Sequence, residues 1–166
     1  MADAVELEAW GEWASRAYGS LSDPNFSFVA ERYNQNPYAE QIREMMGIAN
    51  VADSTGLDDD VCFRLEVGGG RWPAWRVLLS MVGPFAMVIK IDRVGRLFPN
   101  VISTPVVMSS HPVGGEILRI LKTAGFHILS AEESKINVAF KVPPDEELED
   151  GPLYRVLFSD ASELPW

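Results

Sequence analysis

Closely spaced carboxylates are the groups that stand out chemically in this chain. Asp58, Asp59 and Asp60 are consecutive, and a second acidic run lies between Pro144 and Pro152. That run consists of Asp145, Glu146, Glu147, Glu149 and Asp150. Such carboxylates could bind a hard cation, or they could accept charge-assisted hydrogen bonds from Lys and Arg side chains. A cation site is disfavoured, because a calcium loop alternates its ligands, whereas three consecutive Asp point in different directions. For each run the simplest alternative is a solvated, charged loop with no partner.

The acidic charge is concentrated towards the two ends of the sequence. Residues 1–60 hold 12 Asp and Glu against 3 Arg, and residues 136–166 hold 7 against 2 Lys and Arg. Residues 61–135 hold 5 against 9, and the formal net charge of the whole chain is −10. An acidic surface attracts a basic partner, because the summed field raises the encounter rate and disfavours partners of the same sign. It argues against nucleic acid, since phosphate binding needs a basic surface.

A tryptophan and glycine segment offers a second candidate site. Trp72 and Trp75 flank Pro73 and follow the consecutive glycines 68–70. The two indoles could stack on a base or a sugar, as in a small-ligand or peptide-binding regulatory domain. The alternative, which the sequence favours, is that both indoles cap the core at a strand entrance. The glycines lack the Gly-Lys-Ser/Thr ending of a phosphate loop and predict a hairpin loop instead.

The histidines and the single cysteine give no recognisable metal or nucleophilic site. Neither His111 nor His127 has a Cys, a His or a carboxylate at ligand spacing. Cys62 falls in a predicted strand, where we expect a small buried hydrophobe rather than a nucleophile. An enzyme with carboxylate chemistry is a further alternative, but it needs convergent groups that the sequence does not show. We therefore expect no metal, no cofactor and no enzymatic activity.

Apolar residues recur at three- and four-residue steps in some segments, which predicts helices, and alternate with polar residues in others, which predicts strands. Together these patterns predict an α+β fold, with helices packed on a largely antiparallel sheet. Short helices lead the chain at residues 4–18, 24–33 and 38–46, and a longer helix is predicted at residues 112–124. From residue 61 onwards, alternation and β-branched runs predict strands. These strands are residues 61–67, 75–82, 85–91, 101–108, 126–129, 136–142 and 153–158. Ser130 and Glu133 have capping-box spacing. By size, residues 1–166 form a single domain.

Composition also predicts a cytoplasmic protein. One cysteine cannot form an intramolecular disulfide, and the first residues are acidic where a signal peptide needs a basic start. The longest apolar stretch, residues 77–89, is interrupted by serine, glycine and proline and is too short to cross a bilayer. We therefore expect no membrane segment.

Four short segments, mostly in the second half of the chain, carry a resemblance to a known family. They are residues 79–86 (LSMVGPFA), residues 118–129 (a helix ending in Gly-Phe, then a strand), residues 130–133 (SAEE) and residues 154–160 (YRVLFSD). Together they resemble the immunity proteins of bacterial polymorphic toxin systems, which are small, cytoplasmic and often acidic. The resemblance implies a protein that binds and blocks a cognate toxin domain, and it carries over no site residue.

Charge and resemblance together predict a toxin-neutralising immunity protein. We expect its two acidic runs to cover a basic active site or groove of the toxin. Aromatic anchors would supply affinity, because charges at the rim of an interface mainly raise the association rate. Trp72, Trp75 and Tyr154 are the candidate anchors.

Overall fold

A six-stranded sheet forms the centre of the fold in the computed structural model, which describes residues 6–68, 74–95, 100–140 and 150–159. Five strands follow one another in space as they do in sequence, and all neighbours are antiparallel. They are β1 (Val51–Asp53), β2 (Cys62–Val67), β3 (Trp75–Ser80), β4 (Phe85–Val94) and β5 (Asn100–Pro105). The sixth strand, β6 (His127–Ile128), pairs with β4 in parallel. The predicted α+β class with a largely antiparallel sheet is confirmed.

Strands β5 and β6 share one edge of β4. Ala86 of β4 pairs with Leu79 of β3 and with Ile128 of β6. Ile89 of β4 likewise pairs with β3 and with Pro105 of β5. Because β3 occupies one edge of β4, both β5 and β6 must lie on the other. Pro105 is therefore at the edge of the sheet, where a residue without an N–H is tolerated.

The helices cover both faces of the sheet. In the part of the chain that the structure describes, six α-helices follow a 3-10 turn (Leu7–Ala9). They are α1 (Trp10–Tyr18), α2 (Phe28–Gln35), α3 (Ala39–Met46), α4 (Pro112–Thr123), α5 (Ala131–Ser134) and α6 (Leu153–Leu157). Strands β7 (Asn137–Ala139) and β8 (Asp150–Pro152) form a separate antiparallel pair. No helix among the described residues is both long and apolar enough to cross a membrane.

Strands β2, β3 and β4 separate two apolar cores. Phe63, Val77 and Val88 pack with α2, α3 and α4 on one face of the sheet. Leu78 and Met87 pack with α1 and α6 on the other face. Burial on both faces explains why residues 77–89 are so apolar, because a strand covered on both sides needs no polar alternation.

The leading helices are confirmed, with different boundaries. The predicted start of the first helix, residue 4, lies outside the described residues, and within them α1 begins at Trp10. Helix α2 begins at Phe28 and not at residue 24, because Asn25 Oδ1 accepts a hydrogen bond from Ser27 N–H at 2.9 Å. Such a side-chain bond favours a turn over a helix, so Pro24 precedes the helix instead of opening it. Helix α3 ends at Gly47 as predicted.

One predicted strand is wrong, and two observed strands, β1 and β8, were not predicted. Residues 153–157, expected to be extended, form α6, which follows β8 directly. A short apolar run is compatible with a buried strand or a buried helix, and periodicity alone cannot separate the two. Strand β1 has only three residues and no alternating pattern, and its pairing with β2 is what makes it a strand.

Candidate functional site

The three consecutive aspartates lie in the turn between β1 and β2, and the fold uses them differently. Asp58 and Asp59 are exposed, whereas Asp60 is only 2% exposed. Asp60 Oδ2 accepts a hydrogen bond from Gly56 N–H at 2.8 Å, and Asp60 Oδ1 accepts one from Arg64 Nη2 at 2.6 Å. Asp60 therefore holds the turn together. Its predicted role in contacting a partner is corrected, because its carboxylate is buried and already paired.

Burial also changes the chemistry of Asp60. Desolvation raises the pKa of this carboxyl above its ordinary value, and the bonds from Gly56 and Arg64 only partly oppose that rise. A buried carboxylate that is paired in this way is costly to disturb, since removing one partner leaves the other charge uncompensated.

The aspartate turn is fastened to the C-terminal segment of the described chain. Val61 N–H donates to the Phe158 carbonyl oxygen at 3.0 Å, and Ser159 Oγ donates to the Asp59 carbonyl oxygen at 3.2 Å. Asp60 and Ser159 form an antiparallel bridge. The exposed side chains of Asp58 and Asp59 thus project from a backbone that is held on two sides.

A cleft of about 240 Å³ opens beside these two carboxylates. Its apolar lining comes from the start of α2 and from the turn itself, and its polar lining is entirely acidic. The lining residues are Phe26, Val29, Leu57, Asp58, Asp59, Asp60 and Val61. Lys and Arg side chains carry an apolar stem and a cationic head. The cleft offers apolar walls for the stem and carboxylates for the cationic head.

Trp75 is a core residue, which corrects its predicted role as an anchor for a partner. Its side chain is 2% exposed and packs among the residues that face α2, α3 and α4. The His111 ring lies 5.6 Å from the Trp75 ring. The alternative in which the indole caps the core is therefore the one that holds for Trp75. Trp72 lies outside the described residues.

Tyr154 is likewise buried, at 2% exposure, within the core on the α1 and α6 side of the sheet. Desolvation raises the pKa of its phenol well above the ordinary value. A side chain buried this deeply cannot reach a partner directly, so Tyr154 is also removed from the candidate anchors.

Most of the second acidic run lies outside the described residues. Asp145, Glu146, Glu147 and Glu149 belong to that part, and only the backbone of Asp150 is described. Asp150 pairs with Ala139 of β7. The end of the run is therefore joined to the folded protein through β8, while the role of its carboxylates stays a prediction.

His127 has a carboxylate partner that the sequence analysis missed. His127 Nε2 lies 3.0 Å from Glu133 Oε1. Glu133 also accepts hydrogen bonds from Ser130 N–H at 2.7 Å and from Ser130 Oγ at 2.8 Å, in the predicted capping box of α5. A separation of six residues does not bring two side chains into contact along a helix or along a strand. The turn after β6 brings the His127 and Glu133 side chains together. Among the described residues no group of three or more His, Cys, Asp or Glu is placed to hold a metal ion.

Cys62 is fully buried in the core on the α1 and α6 side. Desolvation raises the pKa of its thiol well above the ordinary value, so the reactive thiolate is disfavoured. This placement confirms the prediction of a small buried strand residue.

Comparison with known proteins identifies no relative: no protein-family model, no curated protein and no solved structure matches the chain. The resemblance of the four segments to immunity proteins therefore stays a prediction.

Proposed function

We propose that this chain is an immunity protein that binds and neutralises a cognate bacterial toxin domain in the cytoplasm, without enzymatic activity of its own. The observation that carries the proposal is the cleft beside Asp58 and Asp59, which combines apolar walls with exposed carboxylates in a chain of net charge −10. A basic protein surface is the partner that this combination fits best.

The chemistry of contact follows from the cleft lining. A Lys or Arg side chain of the toxin lays its stem against Phe26, Val29 and Leu57, and its cationic head meets Asp58 or Asp59. Carboxylates form charge-assisted hydrogen bonds with such groups, stronger than bonds between neutral partners. Toxins that act on nucleic acid or dinucleotides need cations near their substrate phosphates, and these carboxylates can occupy the phosphate positions.

Preorganisation supports the same use. The backbone of the aspartate turn is held by Asp60, Arg64 and Ser159 before any partner arrives. Binding then costs little additional ordering of the chain, which leaves more of the contact energy as affinity. The alternative of a small-ligand or peptide-binding domain loses support, because it relied on Trp75 lining a pocket and Trp75 is in the core.

Co-expression tests the proposal. The chain is produced in bacteria together with the toxin domain encoded beside its gene, and survival is compared with cells that carry the toxin domain alone. We expect the chain to restore growth and the purified proteins to form a stoichiometric complex. Absence of both protection and complex would overturn the proposal, whereas protection by catalytic destruction of the toxin or its product would show an enzyme instead.

A further inference from the structure

Strand β5 forms an open edge of the sheet. Among the described residues, β3 pairs with β4 from Ala86 to Lys90, and Ile91 N–H also donates to the Ala74 carbonyl oxygen at 2.9 Å, while β5 pairs with β4 as far as Val94. Within the described residues, nothing pairs with the outer edge of β5.

Strands β4 and β5 carry exposed apolar side chains where β5 begins. Val94 and Val101 are each 54% exposed, and Ile102 is 49% exposed. Asn100–Pro105 contains no charged residue (NVISTP). Scattered surface hydrophobes are ordinary, but here three occur within one pair of strands, with Val94 and Ile102 on one face and Val101 on the other.

Strand β5 has few of the features that normally keep an edge strand from pairing with another chain. Edge strands are usually very short, charged, bulged or interrupted by proline. The opposite edge follows that rule, because β1 has three residues and ends in Asp53. Strand β5 has six residues and no charge, and its proline is the last residue. Its outer edge is thus suited to pairing with another strand.

The hydrogen-bonding groups on that edge can be assigned from the register. Val106 N–H donates to the Val88 carbonyl oxygen at 2.8 Å, so the backbone groups of Val106 point towards β4. In an antiparallel ladder the direction alternates along the strand. Thr104, Ile102 and Asn100 therefore also point towards β4. Val101 and Ser103 point their N–H and C=O groups outwards.

We propose that β5 pairs antiparallel with β5 of a second copy of this chain across a two-fold axis. In this register Val101 lies opposite Ser103 of the second copy and exchanges both N–H···O=C bonds with it, and symmetry repeats the pair. Ile102 then faces Ile102 of the second copy on the axis, as a non-hydrogen-bonded pair whose side chains lie close together. The exposed Ile102 side chains of the two copies then cover one another, and Val101 packs beside Ser103 of the second copy on the other face.

Charge favours a second copy over the basic partner of the acidic cleft. The charged side chains that flank β5 on β4 are Lys90, Asp92 and Arg93, in which cations predominate, and Lys90 pairs with Asp92 at 2.9 Å. A basic strand would meet these cations, whereas a second copy brings the same uncharged residues. Two chains of net charge −10 repel at long range, so the dimer is weak and strengthens as salt screens the repulsion. Binding of a basic toxin has the opposite salt dependence, and the dimer does not depend on the proposed function.

Cross-linking on the axis tests the register. Non-hydrogen-bonded antiparallel partners have Cα atoms about 4.5 Å apart, within the range that a disulfide bridges. Ile102→Cys should form a disulfide-linked dimer under mild oxidation. Thr104→Cys is the matched control on the same face of β5. It lies opposite Asn100 of the second copy and should form no disulfide-linked dimer. Cys62 is buried and does not compete. A monomeric Ile102→Cys variant, or equal cross-linking of both variants, would overturn the proposed register.

A second measurement needs no cysteine. Sedimentation equilibrium of the wild-type chain should give a mass that rises above 18.4 kDa with concentration, and rises further with added salt. Ser103→Pro removes an outward N–H that β4 does not use, and it should stay monomeric with an unchanged circular dichroism spectrum. Ser103→Ala keeps that N–H and should behave as wild type. A wild-type mass fixed at 18.4 kDa, or a proline variant that associates like wild type, refutes the dimer.

Discussion

Gly114 of α4 lies directly against the indole of Trp75 on β3. A Cβ atom built on Gly114 would be 2.3 Å from Cη2 of Trp75 and 2.8 Å from Ser109 Oγ. A glycine inside a helix costs about 1 kcal/mol relative to alanine. Here it allows the helix to approach the sheet, and the same close approach buries the indole that the sequence offered as an anchor for a partner.

Gly114→Ala should therefore destabilise the protein, although alanine is the better helix former. The added methyl group must displace a buried ring, and overpacking of this kind costs about 1–3 kcal/mol. Gly11→Ala in α1 is the control, because nothing lies within 4 Å of the added Cβ, and it should stabilise by about 0.5–1 kcal/mol. Urea unfolding of both variants measures the difference. Equal stability of the two would contradict the packing described for Trp75.

Reversing the exposed carboxylates of the cleft should weaken binding of the toxin domain. With Asp58→Lys and Asp59→Lys combined, we expect the association rate to fall about tenfold or more at low salt, because steering by the acidic surface is lost. The same charge change made at Glu40 and Glu132, exposed residues that do not line the cleft, should slow association much less. Surface plasmon resonance over a range of salt concentrations measures both rates.

The two double variants also separate the local site from the overall field. Equal losses in both would mean that only net charge matters and that the cleft is not the contact. Reversal of Glu146, Glu147 and Glu149 extends the comparison to the second acidic run. We expect it to reduce protection against the toxin more than reversal at Asp58 and Asp59, since flanking prolines lower the ordering cost of docking.

Glu133 should make stability depend on acid pH. Partial burial pushes its pKa upwards, but hydrogen bonds from Ser130 N–H, Ser130 Oγ and His127 outweigh this, so the pKa lies below its ordinary value of 4.5. A carboxyl whose pKa is lowered by folding stabilises the native state above the unfolded-state pKa, and the effect is lost as pH falls through the folded-state pKa.

Glu133→Gln keeps a side chain that can cap α5 but removes the charge. It should be less stable than wild type at pH 7, and the difference should shrink as pH falls below 4.5. Glu132→Gln, at an exposed neighbour in the same turn, should change neither the stability at pH 7 nor its dependence on pH appreciably. Thermal midpoints between pH 3 and pH 7 would show this, and a difference independent of pH would rule out the charge as its source.

Cys62 should be inert in the native state. Its thiol is fully buried with a raised pKa, so a thiol reagent should label it only after the protein unfolds. Cys62→Ser should cost about 1–3 kcal/mol if its hydroxyl finds no partner in this apolar core, and it should leave toxin binding intact. Rapid labelling of the folded protein would show that the core opens around β2.

Local signals in the sequence were enough for the elements whose cause is local. Gly47 ends α3, and Ser130 with Glu133 caps α5, because each depends on residues within one turn of the helix. The alternating residues 61–67 likewise located β2, which pairs antiparallel with β3.

The remaining features depend on contacts between distant residues. Nothing in the sequence distinguishes Asp60 from Asp58 and Asp59. Its burial depends on the hydrogen bond from Arg64 and on the bridge to Ser159. Helix α6 and strand β1 are likewise decided by what they pack against. The apolar wall of the cleft joins Phe26 to Leu57, and no pattern in the sequence relates these two positions.

The bond between Ser159 and the aspartate turn joins residues 100 positions apart. Contacts of such separation form late, because the entropy of closing a long loop must be paid first. During synthesis the turn therefore leaves the ribosome long before the segment that holds it. The newly made chain therefore acquires the geometry of the aspartate turn only after Phe158 and Ser159 have been synthesised and have folded back onto residues 59–61.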